Sequence, residues 1–158
     1  FTTAGTAEKC ATCESWGAER AINYREEDFE AVIKDLTKGK GVDVILDIAA
    51  GDYIQKNINA CAPEGRIVTI AFIRGAKAEV NFGGLLVKRI TMTGSSLRAQ
   101  SLAQKAVMGR EIRENVWPLI EQGQLKPVID SRFSLAEAEK AQARMNSGEH
   151  TGKILMLP

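Results

Sequence analysis

The sequence has little of what metal and acid–base sites are made from. Its 158 residues include one histidine and three cysteines, and the net charge is +1. Zinc sites need about four ligands, and the one Cys-x-x-Cys spacing, Cys10 with Cys13, has no second pair. We therefore predict no metal site, and we expect His150, which has no ligating companions, at the surface or in a turn. The near-neutral charge argues against a dedicated nucleic-acid or membrane-surface binder.

Long apolar runs and a secretion signal are also missing. The longest apolar stretch, 67–73, has the length of a strand and is too short to cross a membrane. An odd number of cysteines gives no disulfide framework, which favours a reducing compartment, and we expect a cytoplasmic location. The missing signal peptide carries little weight, because the sequence does not begin with methionine.

A further absence is the glycine-rich turn that opens a dinucleotide-binding sheet. The first residues, 1–6 (FTTAGT), have the pattern of a strand end that turns into a helix. We therefore expect the first strand of the sheet and its turn to lie outside these residues. In the doubly wound order that strand lies between the second and the fourth. Without it, two strand edges would keep unpaired N–H and C=O groups, so we expect the fragment not to fold alone.

Strand and helix patterns alternate through the first two thirds of the chain. Helices are predicted from Thr6 to Trp16, Phe29 to near Gly39, Gly51 onward, and Gly83 to Lys88; strands at 21–24, 42–49, 66–72 and 90–95. The segments 42–49 and 66–72 are apolar on both faces, which is typical of strands covered by helices on both sides. With right-handed crossovers, this predicts an α/β fold with a doubly wound parallel (Rossmann) sheet.

The alternation of strand and helix patterns changes near residues 123–127. Ser101 and Ser134 each begin a capping box, which predicts helices to about Glu121 and Asn146. Strand-like segments at 128–133 and 153–157 flank the second helix.

Ligands of doubly wound sheets bind at the carboxyl ends of the strands. At the first such end no acid occurs before Glu8, whereas a carboxylate there would bind the ribose of NAD and repel a 2′-phosphate. Gly5 lets the backbone come close to a ligand, Thr6 offers a hydroxyl, and Lys9 lies where its ammonium can reach an anion. For Asp47, which precedes a turn of small residues, we favour a purely structural role in that turn.

Five segments are typical of one family: AGTAEK at 4–9, INYREEDF at 22–29, LDIAAGDYIQKNINACAPEGRIV at 46–68, GSSLRA at 94–99 and GEHTGKILMLP at 148–158. With them the chain resembles the quinone oxidoreductase (zeta-crystallin-like) branch of the zinc-independent medium-chain dehydrogenase/reductase superfamily. The resemblance implies that 1–125 is most of a dinucleotide-binding (Rossmann) domain. It implies that 126–158 returns to a GroES-like substrate domain in a longer complete protein.

The resemblance also implies a set of NADPH-binding residues. These are Gly5, Thr6, Lys9, Tyr24, Ala71, Phe72, Ile73, Ser95, Ser96 and Leu97. Gly5, Lys9 and Tyr24 would hold the adenosine 2′-phosphate, Ala71–Ile73 would line the middle of the cofactor, and the backbone of Ser95–Leu97 would meet the nicotinamide carboxamide. Open alternatives are a solvated Lys9, a Tyr24 that covers the sheet, and a Phe72 that packs against the substrate domain.

The implied activity is NADPH-dependent hydride transfer, without zinc, to quinones or other α,β-unsaturated carbonyls. The sequence identifies no catalytic residue, because the groups that stabilise the developing charge would come chiefly from the substrate domain. Two alternatives remain: an enoyl reductase of the same superfamily, and a non-catalytic nucleotide-binding or structural (crystallin-like) protein. The resemblance further implies a homodimer through the edge strand near Ile90–Ser95, where alternating threonines suit an edge.

Overall fold

A computed structural model describes residues 1–158, which form two compact units, Phe1–Ala99 and Gln100–Pro158. Helices alternate with strands, and every strand pairing is parallel. The predicted α/β class is therefore confirmed. The predicted domain boundary at 125/126 stays a prediction, since the division into compact units is a different property. None of the helices combines the length and the apolar character that crossing a membrane requires.

The first unit contains five strands and four helices. They are β1 (Thr2–Ala4), α1 (Ala7–Ser15), β2 (Ala21–Asn23), α2 (Phe29–Leu36), β3 (Val42–Asp47), α3 (Tyr53–Ala60), β4 (Cys61–Thr69), α4 (Gly83–Lys88) and β5 (Thr91–Gly94). The predicted order is confirmed, but β4 begins at Cys61 rather than Arg66. Its pairing with β3 passes from Val42–Cys61 directly to Val44–Arg66, so β4 bulges between these points.

Two buried clusters hold these elements together. The first joins α2 to β2 and consists of Ile22, Phe29, Ile33 and Ala60. The second joins α3 to β4 and consists of Ile58, Cys61, Ile67 and Ile90. Full burial of an aliphatic side chain contributes about 1.5–3 kcal/mol. The clusters therefore account for much of the attraction between these helices and strands.

The strands of the first unit form two separate sheets. One contains β1 and β2, and the other has the order β3-β4-β5. A cavity of about 590 Å³ is lined by residues of both sheets, including Thr3 of β1 and Val44, Leu46 and Asp47 of β3. We call this cavity the inter-sheet slot. Because β1 and β3 each have one hydrogen-bonded neighbour, the continuous doubly wound order stays a prediction.

The prediction that 42–49 and 66–72 are buried on both faces is wrong. Val44 is 59% exposed and Leu46 is 66% exposed, whereas Ile67 on β4 is 1% exposed. Neighbouring residues of a strand point to opposite faces. Within this unit α3 covers the face that carries Ile67, and the alternate residues of β3 face an uncovered side.

The second unit contains two helices joined by a π-helical turn, followed by a strand–helix–strand segment. Its elements are α5 (Leu102–Glu111), the turn Ile112–Val116, α6 (Trp117–Glu121), β6 (Ile129–Ser134), a 3-10 turn at Leu135–Glu137, α7 (Ala138–Ser147) and β7 (Lys153–Leu157). Both predicted capping boxes are confirmed. The predicted single helix is interrupted ahead of Pro118, which has no backbone N–H to donate to the turn before it.

Candidate functional site

Gly5 and Tyr24 meet where β1 and β2 end. Gly5 is buried, and a Cβ placed on it would lie 2.6 Å from the Tyr24 hydroxyl oxygen. The same Cβ would lie 3.4 Å from Nε of Arg25. Only glycine fits here without moving the phenol, so the tyrosine ring comes close to bare backbone. Two of the predicted site residues are thus brought together, with an arginine beside them.

Thr6 and Lys9 are joined through the start of α1. The Thr6 side-chain oxygen accepts a hydrogen bond of 3.2 Å from the backbone N–H of Lys9. Thr6 is therefore the N-cap of the helix, as its residue type predicts. The positive end of the helix dipole lies in this first turn, together with the half-buried side chain of Lys9.

Asp47 shapes the turn at the end of β3. One carboxylate oxygen, Oδ1, accepts hydrogen bonds from the backbone N–H groups of Ala49 at 2.8 Å and Ala50 at 2.9 Å. The turn role that we favoured for Asp47 is confirmed. The second oxygen, Oδ2, is buried and has no hydrogen-bond partner. It belongs to a residue that lines the inter-sheet slot.

The segment after β4 is fastened to the end of β3. The backbone N–H of Ile73 donates to the Ile48 carbonyl at 3.2 Å, and that of Arg74 donates to the Ala49 carbonyl at 2.8 Å. Gly51 has φ of +53°, and a Cβ on it would lie 2.6 Å from the Arg74 carbonyl oxygen. These contacts set the course of 71–73, where the predicted site residues Phe72 and Ile73 are exposed.

The Arg74 side chain adds a second connection between the two strand ends. Its guanidinium binds both carboxylate oxygens of Asp52, with Nε–Oδ1 at 2.6 Å and Nη2–Oδ2 at 3.0 Å. It also lies over the Tyr53 ring, 5.3 Å from the ring centre. A two-point arginine–carboxylate pair fixes orientation as well as distance.

We expect Arg74→Gln to raise the pKa of the Asp52 carboxyl toward its ordinary value. The hydrogen bonds from Arg74 are the main reason why the pKa of Asp52 is lowered. A lowered pKa in the folded state stabilises the fold above the unfolded-state pKa, and that contribution disappears as the pH falls through the folded-state pKa. NMR titration of the carboxyl carbon measures the shift. Arg89→Gln, which breaks a different exposed ion pair with Glu64, is the control, and an unchanged Asp52 titration in Arg74→Gln would contradict the assignment.

The end of β5 carries the last predicted segment. The backbone N–H of Ser95 donates to the Thr69 carbonyl at 3.0 Å. Ser96 and Leu97 are exposed. β5 pairs with β4 alone, so its other edge is open.

The cysteines and the histidine form no metal centre. No three His, Cys, Asp or Glu side chains converge on a common point in residues 1–158. Cys10 and Cys61 are buried and Cys13 is partly buried, all as free thiols. Burial raises the pKa of the Cys10 and Cys61 thiols, which makes both poor nucleophiles.

Arg25 is a residue of this region that sequence reasoning did not single out, since a lone arginine after a strand carries no further signal. The structure places its Nε beside Gly5, and its guanidinium makes no hydrogen bond or ion pair. Only the position directly after Tyr24 in the INYREEDF segment could have pointed to it.

Known proteins match the chain in sequence and in structure. A family model described as zinc-binding dehydrogenase matches residues 16–156. Quinone oxidoreductase-like protein 2 of Bos taurus is 28% identical over 97% of this chain and 44% of its own length. The 2-haloacrylate reductase of Burkholderia sp is 28% identical over 99% of this chain and 47% of its own length.

A solved structure gives the same result. The crystal structure of Escherichia coli quinone oxidoreductase complexed with NADPH has a TM-score of 0.84 and 29% sequence identity, covering 99% of this chain and 48% of that one. The chain thus spans less than half the length of each of these relatives. Parallel α/β architecture, matched sequence and matched structure agree. This chain belongs to the zinc-binding dehydrogenase family, in the quinone oxidoreductase-like branch of the medium-chain dehydrogenase/reductase superfamily.

Proposed function

We propose that the chain supplies most of the NADPH-binding domain of an oxidoreductase that reduces quinones or other α,β-unsaturated carbonyls. The observation that carries the proposal is the arrangement at the end of β1. There a bare Gly5 backbone lies against the Tyr24 hydroxyl, next to the start of α1. The E. coli relative was crystallised with NADPH, which supports the choice of cofactor.

The residues at this strand end suit an adenosine that carries an additional phosphate. No carboxylate precedes Glu8, whose side chain lies on the first turn of α1 and not at the strand end. The helix N-terminus and Lys9 favour negative charge, and the Tyr24 hydroxyl can donate a hydrogen bond. NADPH would supply the hydride, and Gly5, Thr6, Lys9 and Tyr24 would bind and orient its adenosine end.

The residues that follow β4 and β5 suit the rest of an extended dinucleotide. In the proposal, Ala71–Ile73 pass beside the middle of the cofactor, on a segment whose course is set by hydrogen bonds to Ile48 and Ala49. The backbone of Ser95–Leu97 would meet the carboxamide. Backbone contacts of this kind orient a ring without constraining side-chain identity.

Zinc does not fit the residues of this chain. The metal in the family's name requires three or four converging ligands, and no group of three His, Cys, Asp or Glu side chains is suitably placed. We derive no catalytic step through a metal. The open edge of β5 further supports a proposed homodimer in which two such edges pair.

The test is a comparison of acceptors with the full-length protein. We expect NADPH to reduce a soluble quinone with a higher kcat/KM than an enoyl thioester, and with specific transfer of one of the two C4 hydrogens. A higher value with the thioester would favour the enoyl reductase. Cofactor binding without hydride transfer to any acceptor would favour the non-catalytic alternative, and equal use of NADH and NADPH would contradict the proposed cofactor.

A further inference from the structure

Two cysteines lie one turn apart on α1, and their accessibility differs. Cys10 is 7% exposed, whereas Cys13 is partly accessible, and both are free thiols. Residues three positions apart on a helix lie on the same side, with Cα atoms about 5 Å apart. That distance lies within the range of roughly 4.4–6.8 Å that a disulfide spans. The helix therefore places an accessible thiol beside a buried one.

The buried thiol is shielded from solvent but not from its neighbour. Burial is the main reason why the pKa of the Cys10 thiol is raised, and the nearby Cys13 is the second. A raised pKa makes Cys10 a poor nucleophile toward dissolved reagents. Attack on a group of the same helix is a different case, because effective molarities of well-placed groups reach about 10⁵–10⁸ M. Cys10 is therefore suited to react with an oxidised Cys13 and with little else.

We propose that Cys10 and Cys13 are a modification site, at which hydrogen peroxide drives formation of a disulfide that regulates the start of α1. The Cys13 sulfur attacks one peroxide oxygen and the O–O bond breaks, which gives Cys13 sulfenic acid and water. The Cys10 sulfur then attacks the Cys13 sulfur, the S–O bond breaks, and hydroxide leaves with the thiol proton as water. Two thiols thus lose two electrons and two protons, and one peroxide becomes two waters.

The new bond would distort the first turn of α1. A disulfide needs Cβ atoms about 3.5–4.5 Å apart, whereas a helix holds them about 5–6 Å apart at this spacing. The backbone N–H of Cys10 donates to the Thr6 carbonyl at 3.0 Å, and that of Lys9 donates to the Thr6 side chain at 3.2 Å. A shift of Cys10 toward Cys13 therefore moves the turn that carries Lys9. Strained disulfides are easily reduced, so a thiol such as glutathione would restore the helix.

The backbone of Cys13 is anchored by the turn that follows α1. Its carbonyl accepts hydrogen bonds from the backbone N–H groups of Trp16 at 3.2 Å and Ala18 at 3.1 Å. Closing the disulfide is therefore expected to move the chain on the Thr6 side, where the proposed adenosine site lies. This coupling rests on the proposed NADPH function, whereas formation of the disulfide does not.

Peptide mapping of the full-length protein tests bond formation directly. Trypsin cleaves after Lys9 and Arg20, so both cysteines of α1 lie in one peptide. After treatment with hydrogen peroxide, we expect this peptide to lose two hydrogen atoms and to resist alkylation until dithiothreitol is added. Cys10→Ser should instead leave Cys13 as a sulfenic acid that dimedone traps. Cys61→Ser removes the other buried thiol and should behave like the parent.

Calorimetry with 2′,5′-ADP on the reduced and the oxidised full-length protein tests the coupling. We expect oxidation to weaken binding roughly fivefold, at the lower end of typical coupling between two sites, and dithiothreitol to restore it. Cys13→Ser has no accessible thiol at this position of α1. It is the matched control, and its affinity should not change after peroxide treatment.

Three outcomes would overturn the inference. They are Cys13 sulfinic acid without a disulfide, a disulfide from Cys13 to any cysteine other than Cys10, and an unchanged 2′,5′-ADP affinity in the oxidised parent. All three are measured on the parent chain, so they decide the matter even where Cys10→Ser lowers stability. If the reduced parent did not prefer 2′,5′-ADP over 5′-AMP, the proposed function would fail, and the peptide masses would still decide the disulfide.

Discussion

Replacing Lys9 by glutamate is expected to weaken NADPH binding by roughly a hundredfold, about 2.7 kcal/mol, while NADH binding changes little. Lys9 lies on the first turn of α1, whose N-cap is Thr6. The substitution turns an attractive charge into a repulsive one at the place where the adenosine phosphate would lie. NADH has no phosphate there, so it does not experience the repulsion.

Fluorescence titration of the full-length protein with both dinucleotides measures the effect, and raised salt should reduce it. Lys34→Glu makes the same charge change on α2, at an exposed position near the helix end, and serves as control. Equal NADPH affinity in Lys9→Glu and the parent would exclude Lys9 from the site. Parallel losses of NADPH and NADH would instead indicate damage to α1.

The second large effect concerns folding. We expect residues 1–158, produced alone, to lack a cooperative unfolding transition and to expose amides on both sides of the inter-sheet slot to rapid hydrogen exchange. β1 and β3 each have one hydrogen-bonded neighbour, and Val44 and Leu46 are 59% and 66% exposed. Each sheet therefore leaves the edge that faces the slot unpaired, and the second sheet leaves these two apolar residues of β3 uncovered.

Intact-mass measurement combined with sedimentation and hydrogen exchange tests this expectation, with the full-length protein as control. A monomer near 17.2 kDa with native-like protection of Thr3, Val44 and Leu46 would contradict it. A folded species of higher mass would mean that another polypeptide segment occupies the slot.

Local features of this chain could be predicted because their causes are local. The spacing of Phe29 and Ile33 defines the buried face of α2, and Ser101 caps α5 through a residue three positions away. Asp47 bonds the backbone two and three residues ahead. In each case the partners lie within one turn of the chain, so sequence spacing alone decides the contact.

Other features depend on partners that are distant in the sequence. The exposure of Leu46 could not be predicted, because apolar character does not say whether a helix covers a given face. Arg74 binds Asp52 across 22 positions, and Arg20 binds Glu27 across seven. The fold decides which charged side chains form ion pairs. The charge of the candidate site therefore could not be predicted from sequence spacing.

The burial of two thiols gives the chain an uneven reactivity toward solvent-borne reagents. Cys10 and Cys61 are buried and their pKa values are raised, whereas Cys13 is partly accessible. A maleimide or a peroxide is therefore expected to react first with Cys13 on α1. Alkylation of Cys10 and Cys61 requires local unfolding of the residues that cover them. The rate at which these two thiols are modified therefore measures how often the chain unfolds transiently.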